Sequence, residues 1–383
     1  STGKYTHYEN ENNNPNSLSN NQVISLLIDN SGTLWVGTYN GLNKFDIKNN
    51  KFTQYYHNDR DTNSLADNYI ERIFEDSNGE FWIGTGYGGL DKFDRNNNVF
   101  IHHRNDPNDP GSIGSINVRA ICEDKNKTMW FGSGIVYCGI SSFERSNKTF
   151  KTFYNAQSIR GVTDIWNDNK NRFWVTSVWT GLNLFDRKTG IANSYNINSA
   201  LQSNCVYKIL EDNSGKLWLS THHGLSCFDP ETEAFRNYHI EDGLSITEFS
   251  FRAAYKSKEG TMYFGGEGGM ISFHPDSIII NTQKPNIVLT DFKLFNQSML
   301  PSEGSPLKKN INVADKIELM YYDNSFSFEF AALDYTNPGR NQYAYMMKGF
   351  DKDWISSGNV RTVSYTNLDP GEYTFRVKGS NND

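Results

Sequence analysis

The sequence predicts an all-β chain, a β-propeller followed by a β-sandwich. Three observations carry that prediction. An aromatic residue recurs at Trp35, Trp82, Trp130, Trp174, Trp218 and Tyr263, at intervals of 47, 48, 44, 44 and 45 residues. Gly is abundant, at 31 residues, and aromatic residues make up 14% of the chain, which suits short strands and tight turns better than a helical bundle. After Pro285 the repeat stops. Apolar residues then alternate with polar ones at Phe326, Phe328 and Phe330 and at Tyr373, Phe375 and Val377, the period of half-buried strands.

Each repeat reads as four strands. The first is an alternating stretch such as Val23 to Ile28, closed by Asp29, Asp76, Asp124, Asp168 or Asp212 six residues before the aromatic, with Ser257 in the last unit. Asp-Asn-Ser-Gly segments are hairpin turns, because Asp and Asn close local hydrogen bonds and Gly tolerates positive φ. The second strand carries Leu-Trp-Val-Gly. The third begins at Gly41-Leu42, Gly89-Leu90, Gly139-Ile140, Gly181-Leu182, Gly224-Leu225 or Gly269-Met270, and a Phe stands four residues after that Gly in all six units. The fourth is typified by Lys51 to Tyr55. Four antiparallel strands in about 45 residues is the size of one propeller blade. A blade cannot bury both faces alone, so the recurrent Trp and Phe are read as wedges between neighbours. Trp166 falls in phase with Leu27, Phe74, Cys122 and Leu210 and is also read as core.

The sixth unit shows no fourth strand, whereas Lys4 to Tyr8 resembles an orphan one. The simplest expectation is that the N-terminal strand completes the last blade and abolishes the open sheet edges. That places the propeller at 1–284 and the sandwich at 285–383. Six blades are visible, and a seventh is possible if one is lost upstream.

Composition narrows the function. Lys+Arg is 37 against 44 Asp+Glu, a net charge of −7, which argues against nucleic acid or an anionic membrane as partner of this segment. No apolar run approaches the roughly 20 residues of a membrane helix. The opening Ser-Thr-Gly-Lys is not a signal peptide, so any export signal or anchor is expected outside this segment. Cys122, Cys138, Cys205 and Cys227 have no metal-ligand spacing and are too few for a disulfide scaffold. No metal, cofactor or catalytic residue is expected.

Strand order fixes where a ligand could sit. The turns between second and third strands and the links between blades emerge on one face, and they vary; aromatic-to-Gly spacing across that turn is 6, 7, 9, 7, 6 and 6. Variable loops on one rim of a rigid scaffold are the default binding surface. The candidates there are Tyr39, Asn40, Tyr87, Tyr137, Trp179, His222, His223 and Glu267. Rings with amide and carboxylate neighbours suit sugars, whose C–H faces stack while hydroxyls take hydrogen bonds. His222-His223 shows no third ligand for a metal. Gly84 to Gly89 resembles a phosphate loop only superficially, since neither a Lys nor a helix start follows.

Asp-x-x-Gly-x-Leu-Trp-Val-Gly-Thr followed by Gly-Leu-x-x-Phe-Asp resembles the two-component regulator propeller repeat. The stretch from Asp242 to Gly266 is similar to that family's terminal blade. Tyr343-Ala344-Tyr345, Gly349 to Trp354, Arg361 to Leu368 and Pro370 to Val377 resemble the Y_Y_Y domain that follows these propellers. The repeat is not uniform: Lys127 and Asn171 replace Gly at the first turn, and Thr176 and Ser220 replace the Gly after the Trp. The resemblance implies an Ig-like sandwich, C-terminally truncated here, and the second of two propellers, commonly seven-bladed. It implies the periplasmic sensor region of a hybrid two-component histidine kinase, part of an inner-membrane protein. A glycan or other periplasmic ligand, a homodimer formed through the sandwich, and a kinase outside this non-enzymatic segment are implied with it. Two other functions compete. One is a carbohydrate-active propeller enzyme of sialidase or lyase type, weakened because Asp29 to Gly32 spans three residues where a sialidase Asp box spans two, and because no arginine trio or paired carboxylates stand out in the loops. The other is a protein-binding scaffold.

Overall fold

The computed structural model describes residues 6–134, 139–153, 159–278, 284–335 and 338–381. The chain divides into two compact units, Ser1–Ser277 and Ile278–Asp383. Blades one to five are four-stranded antiparallel meanders, and blade six, Phe249–Lys256, Met262–Gly266 and Gly269–Phe273, has three strands among the described residues. Their first strands, from Val23–Ile28 through Ile70–Glu75, Ala120–Glu123, Val162–Asn167 and Val206–Glu211 to Phe249–Lys256, pack beside one another in chain order and form the inner wall of the propeller.

Apolar residues of consecutive blades interleave. Trp35 of blade one lies 4.9 Å from Phe81 and 5.8 Å from Phe93 of blade two, in one core with Leu42, Ile70, Ile73 and Ile83. Trp82 repeats this against Phe131 and Phe143, Trp130 against Phe173 and Phe185, and Trp174 against Phe228. Trp166 joins the interface of Trp174 and Phe228 as expected, with its indole N–H donated to Glu211. Burying a large apolar side chain is worth roughly 1.5–3 kcal/mol, so each wedge is a substantial part of its interface.

The edge of blade one breaks the pattern. Val23 and Leu26 are 44% and 62% exposed, whereas their counterparts Ile70 and Ile73 in blade two are 0% and 2% exposed. The expected closing strand is not formed by its described part. Thr6, His7 and Tyr8 are irregular, and Tyr8 packs on Phe45 and Phe52 of blade one, with ring centres 5.0 and 5.6 Å away. Lys4 and Tyr5 lie outside the described residues. The Tyr8 ring therefore covers the apolar end of its own blade's third and fourth strands.

The second unit is a two-sheet sandwich. One sheet runs Gln297–Ser298, Ile287–Leu294, Ser325–Ala332, Thr362–Thr366; the other runs Ile355–Gly358, Gln342–Lys348, Thr374–Ser380. Phe328 of the first stacks on Phe375 of the second at 4.3 Å and 9°, in a core with Phe292, Phe330, Tyr343 and Tyr365. The alternation at Phe326, Phe328 and Phe330 is the inward face of one strand.

Candidate functional site at the mouth of the propeller axis

In the blades where it is described, the turn between second and third strands opens on the same end of the propeller. Tyr39, half exposed, stacks on Tyr69 at 4.2 Å and 15°. Tyr87 is exposed, its ring centre 6.3 Å from Tyr69, and its backbone N–H donates to Asp67. Tyr69 thus brings two expected residues together. The rings of His222 and His223 lie 4.7 Å apart, and His222 Nδ1 is 3.1 Å from the Tyr207 hydroxyl. Asn40 and Glu267 are exposed turn residues. Trp179 is exposed beside Gly161, its backbone N–H bonded to Ser177. Tyr137 lies outside the described residues.

The inner strands supply the rest of the site. In blades one, two, four and five the pairing of first and second strands slips by one residue, at Ile24, Glu71, Thr163 and Tyr207. Such a bulge re-aims the extra side chain. In blade three Arg119 holds the corresponding place, donating its N–H to Gly132. In blade six a longer irregularity between Phe249 and Ala254 contains Arg252, whose φ is +64°.

These residues meet across the axis. Glu71 of blade two, fully buried, pairs with Arg252 of blade six and lies 3.7 Å from Arg119 of blade three. Asn117 donates to Glu71 at 3.0 Å. Arg252 also bonds to the Tyr69 hydroxyl, and burial pulls the pKa of both arginines below its ordinary value. Both still carry charge at neutral pH. Arg119 lies over the Phe251 ring at 5.7 Å, and Phe251 contacts Tyr207 at 4.3 Å. One residue further into the channel, the Lys208 ammonium is 2.6 Å from the Asp164 carboxylate, and Arg72 occupies the equivalent place in blade two.

Sequence reasoning missed Tyr69, Glu71, Arg119, Tyr207 and Arg252. The available signal was charge inside an otherwise apolar first strand, as in Ile70-Glu71-Arg72-Ile73. Alternation along a half-buried strand accounts for the same pattern without a site. The arrangement can hold a polar group over a cationic centre with aromatic walls; among the described residues no group of three or more His, Cys, Asp or Glu is placed to hold a metal ion.

The family described as Two component regulator propeller matches at residues 17–40, 64–87, 112–134 and 200–223, and the Y_Y_Y domain at 334–383. The chain carries two component regulator propeller repeats followed by a Y_Y_Y domain. The matched repeat segments span the link, first strand and second strand of blades one, two, three and five, and so include Glu71 and Arg119. A curated relative, Histidine kinase P4 of Formosa agariphila, is 36% identical over 186 residues, 48% of this chain and 14% of its own length. The chain therefore spans about one seventh of that relative. The extracellular domain of the hybrid two component system BT3049 from B. thetaiotaomicron superposes with a TM-score of 0.61 at 24% identity, over 97% of this chain and 55% of that domain. Virginiamycin B lyase from Staphylococcus aureus superposes with a TM-score of 0.51 at 16% identity, over 67% of this chain and 82% of its own. Both likenesses are of fold.

Proposed function

We propose that this chain is the ligand-binding part of the extracytoplasmic sensor region of a hybrid two-component system, anchored in the inner membrane through segments beyond those described. The observation that carries the reading is the order of its parts, two component regulator propeller repeats and then a Y_Y_Y domain, together with the 36% identity to a histidine kinase. The ligand is an oligosaccharide, held on the rim where Tyr39, Tyr69 and Tyr87 cluster around the axial mouth. Ring faces and polar neighbours are the usual composition of a sugar site. Ligand binding biases one of two arrangements of a homodimer formed through the sandwich, and the kinase reads that bias; such a switch works only if the ligand prefers one arrangement.

Isothermal titration of the chain with a panel of neutral and acidic oligosaccharides tests the reading. Saturable binding without turnover supports it. Cleavage of a panel member would show a propeller enzyme instead, and silence across the panel would favour a protein partner. Sedimentation with and without the bound saccharide tests the dimer.

A further inference from the structure

We propose that the axial mouth is an oxyanion site, in which Arg119 and Arg252 receive the carboxylate or sulfate of an acidic saccharide. The inference rests on the propeller being the ligand-binding unit and adds the chemical class of its ligand.

Charge is the first argument. At the mouth two guanidinium groups face one carboxylate, Glu71. One residue deeper, Lys208 pairs with Asp164, and Arg72 stands close enough to Lys208 to act on its charge. At these two levels four cations stand with two carboxylates, Glu71 and Asp164, in a chain whose net charge is −7. A partly buried cation without a counter-ion is costly, and the cost is relieved by an anion brought in from solvent.

Unmet hydrogen bonding is the second argument. The Nε atoms of Arg119, Arg252 and Arg72 are buried and have no acceptor among the described residues. The Arg252 and Arg119 side chains are only 11% and 21% exposed, so water has limited access to them. A guanidinium offers a planar fork that matches two oxygens of a carboxylate or sulfate. Glu71 cannot fill both forks, because it also accepts from Asn117 and sits 3.7 Å from Arg119. The nearby acid Glu248 is exposed on the rim beside Tyr207.

Backbone geometry is the third. Among the six residues at this inner-strand position, Ile24, Glu71, Arg119, Thr163, Tyr207 and Arg252, positive φ occurs at Arg252 alone, at +64°. A non-glycine residue in that region is held there against an intrinsic cost, which is characteristic of functional positions. The conformation aims Arg252 across the axis at Glu71. Tyr39 stacked on Tyr69, and Phe251 against Tyr207, flank the cationic centre with ring faces on which a sugar can lie.

Two measurements on the 383-residue chain test this. Crystals grown with sodium selenate should show an anomalous peak between Arg119 and Arg252. Calorimetry at fixed ionic strength should show a glucuronate-containing tetrasaccharide or a sulfated galactan tetrasaccharide binding at least about tenfold tighter than the neutral galactan tetrasaccharide; the arm that binds distinguishes carboxylate from sulfate. Arg119→Gln and Arg252→Gln should each weaken the acidic arm by roughly tenfold or more, and Glu71→Gln, which removes the competing carboxylate, should tighten it. Melting temperatures establish that each variant is folded, and if one is not, the selenate map of the unaltered chain decides. No selenate at the mouth overturns the proposal. Neutral saccharide binding as tightly as acidic, or acidic binding indifferent to both arginines, also overturns it while leaving the sensor reading intact. Selenate bound at the arginines with no saccharide binding at all would overturn the saccharide reading and confine the site to a free oxyanion.

Discussion

Arg95 of blade two donates to Oδ2 of Asp29 in blade one at 2.9 Å, the same oxygen that accepts the Trp35 indole N–H at 2.8 Å. Oδ1 of Asp29 meanwhile closes the turn, accepting from the backbone of Ser31 and Thr33. One carboxylate thus fixes a turn, a core wedge and the next blade. The clasp recurs with Asp76, Trp82 and Arg145, and with Asp124, Trp130 and Arg187. In blade four the arginine comes from the same blade, as Arg172 to Asp168, because Pro230 stands where the following blade would supply one. Asp76 is buried and Arg145 about a quarter exposed. Asp76→Asn should therefore cost about 3 kcal/mol, since it leaves a partly buried cation and a buried indole facing an amide, and Arg145→Gln only about 1 kcal/mol. Urea midpoints of the two variants check the difference.

The same clasp sets the acid limit. Burial alone would raise the Asp29 and Asp76 carboxyls, but hydrogen bonds outweigh it: Ser31, Trp35 and the turn backbone at Asp29, and Arg145, Trp82 and the Glu80 backbone at Asp76. Both folded pKa values lie below the ordinary carboxylate value. The unfolded chain then binds protons more readily, so this contribution is complete above about pH 4 and is lost as pH falls through the folded values. Melting temperature should drop steeply below pH 4, and the drop should be shallower in Asp76→Asn.

His103 predicts a second pH dependence at milder acidity. Its ring is packed between Trp82, Phe143 and Phe150, and burial pushes its pKa down to about 4. A folded pKa below the unfolded value of about 6.5 means stability present above pH 6.5 and lost progressively toward pH 4, up to roughly 3 kcal/mol. Tyr55, Phe153, Tyr195 and Tyr238 hold the equivalent place in other blades. His103→Phe should fold and should flatten the melting profile between pH 4 and 6.5. Neighbouring His102 acts in the opposite sense: its hydrogen bond to Asp91 raises its pKa, so its contribution is present below pH 6.5 and is lost as pH rises through the folded value.

Trp179 separates recognition from packing. It is 62% exposed in its turn, so Trp179→Ala should leave the melting temperature within about 1 °C, as surface substitutions usually do. If the rim binds saccharide, the same variant should weaken calorimetric affinity about tenfold, the scale of one lost ring face. A large fall in melting temperature would make it a packing residue.

Trp35, Phe45 and their repeats were legible because identical surroundings recur every 45 residues or so, and a side chain that keeps one phase in six blades has one role. Glu71, Arg119 and Arg252 were not, for the complementary reason. They occupy one repeat position but differ in identity, and they meet only because inner strands of blades two, three and six converge on the axis. Lys4 to Tyr8 alternates like a strand, and in the described part of it the Tyr8 ring lies on Phe45 and Phe52 of blade one. Local period predicts strands well and cannot say which edge an end segment will choose.

Gly84 gives the most direct test of how closely blades approach. A Cβ there would stand 2.2 Å from the carbonyl oxygen of Val118, on the inner strand side of blade three, whose N–H is already bonded to Thr85. Backbone on both sides cannot retreat without parting the two blades. At Gly37, the equivalent site in blade one, the nearest atom is Ile70 Cγ2 at 2.5 Å, a side-chain methyl that can rotate. Thr176 and Ser220 occupy this position in blades four and five, so the fold tolerates a side chain where the next blade leaves room. Gly84→Ala should therefore cost about 3 kcal/mol and Gly37→Ala nearer 1 kcal/mol, read as urea midpoints at unchanged slope. Equal costs would mean that the spacing between blades is set by side chains throughout.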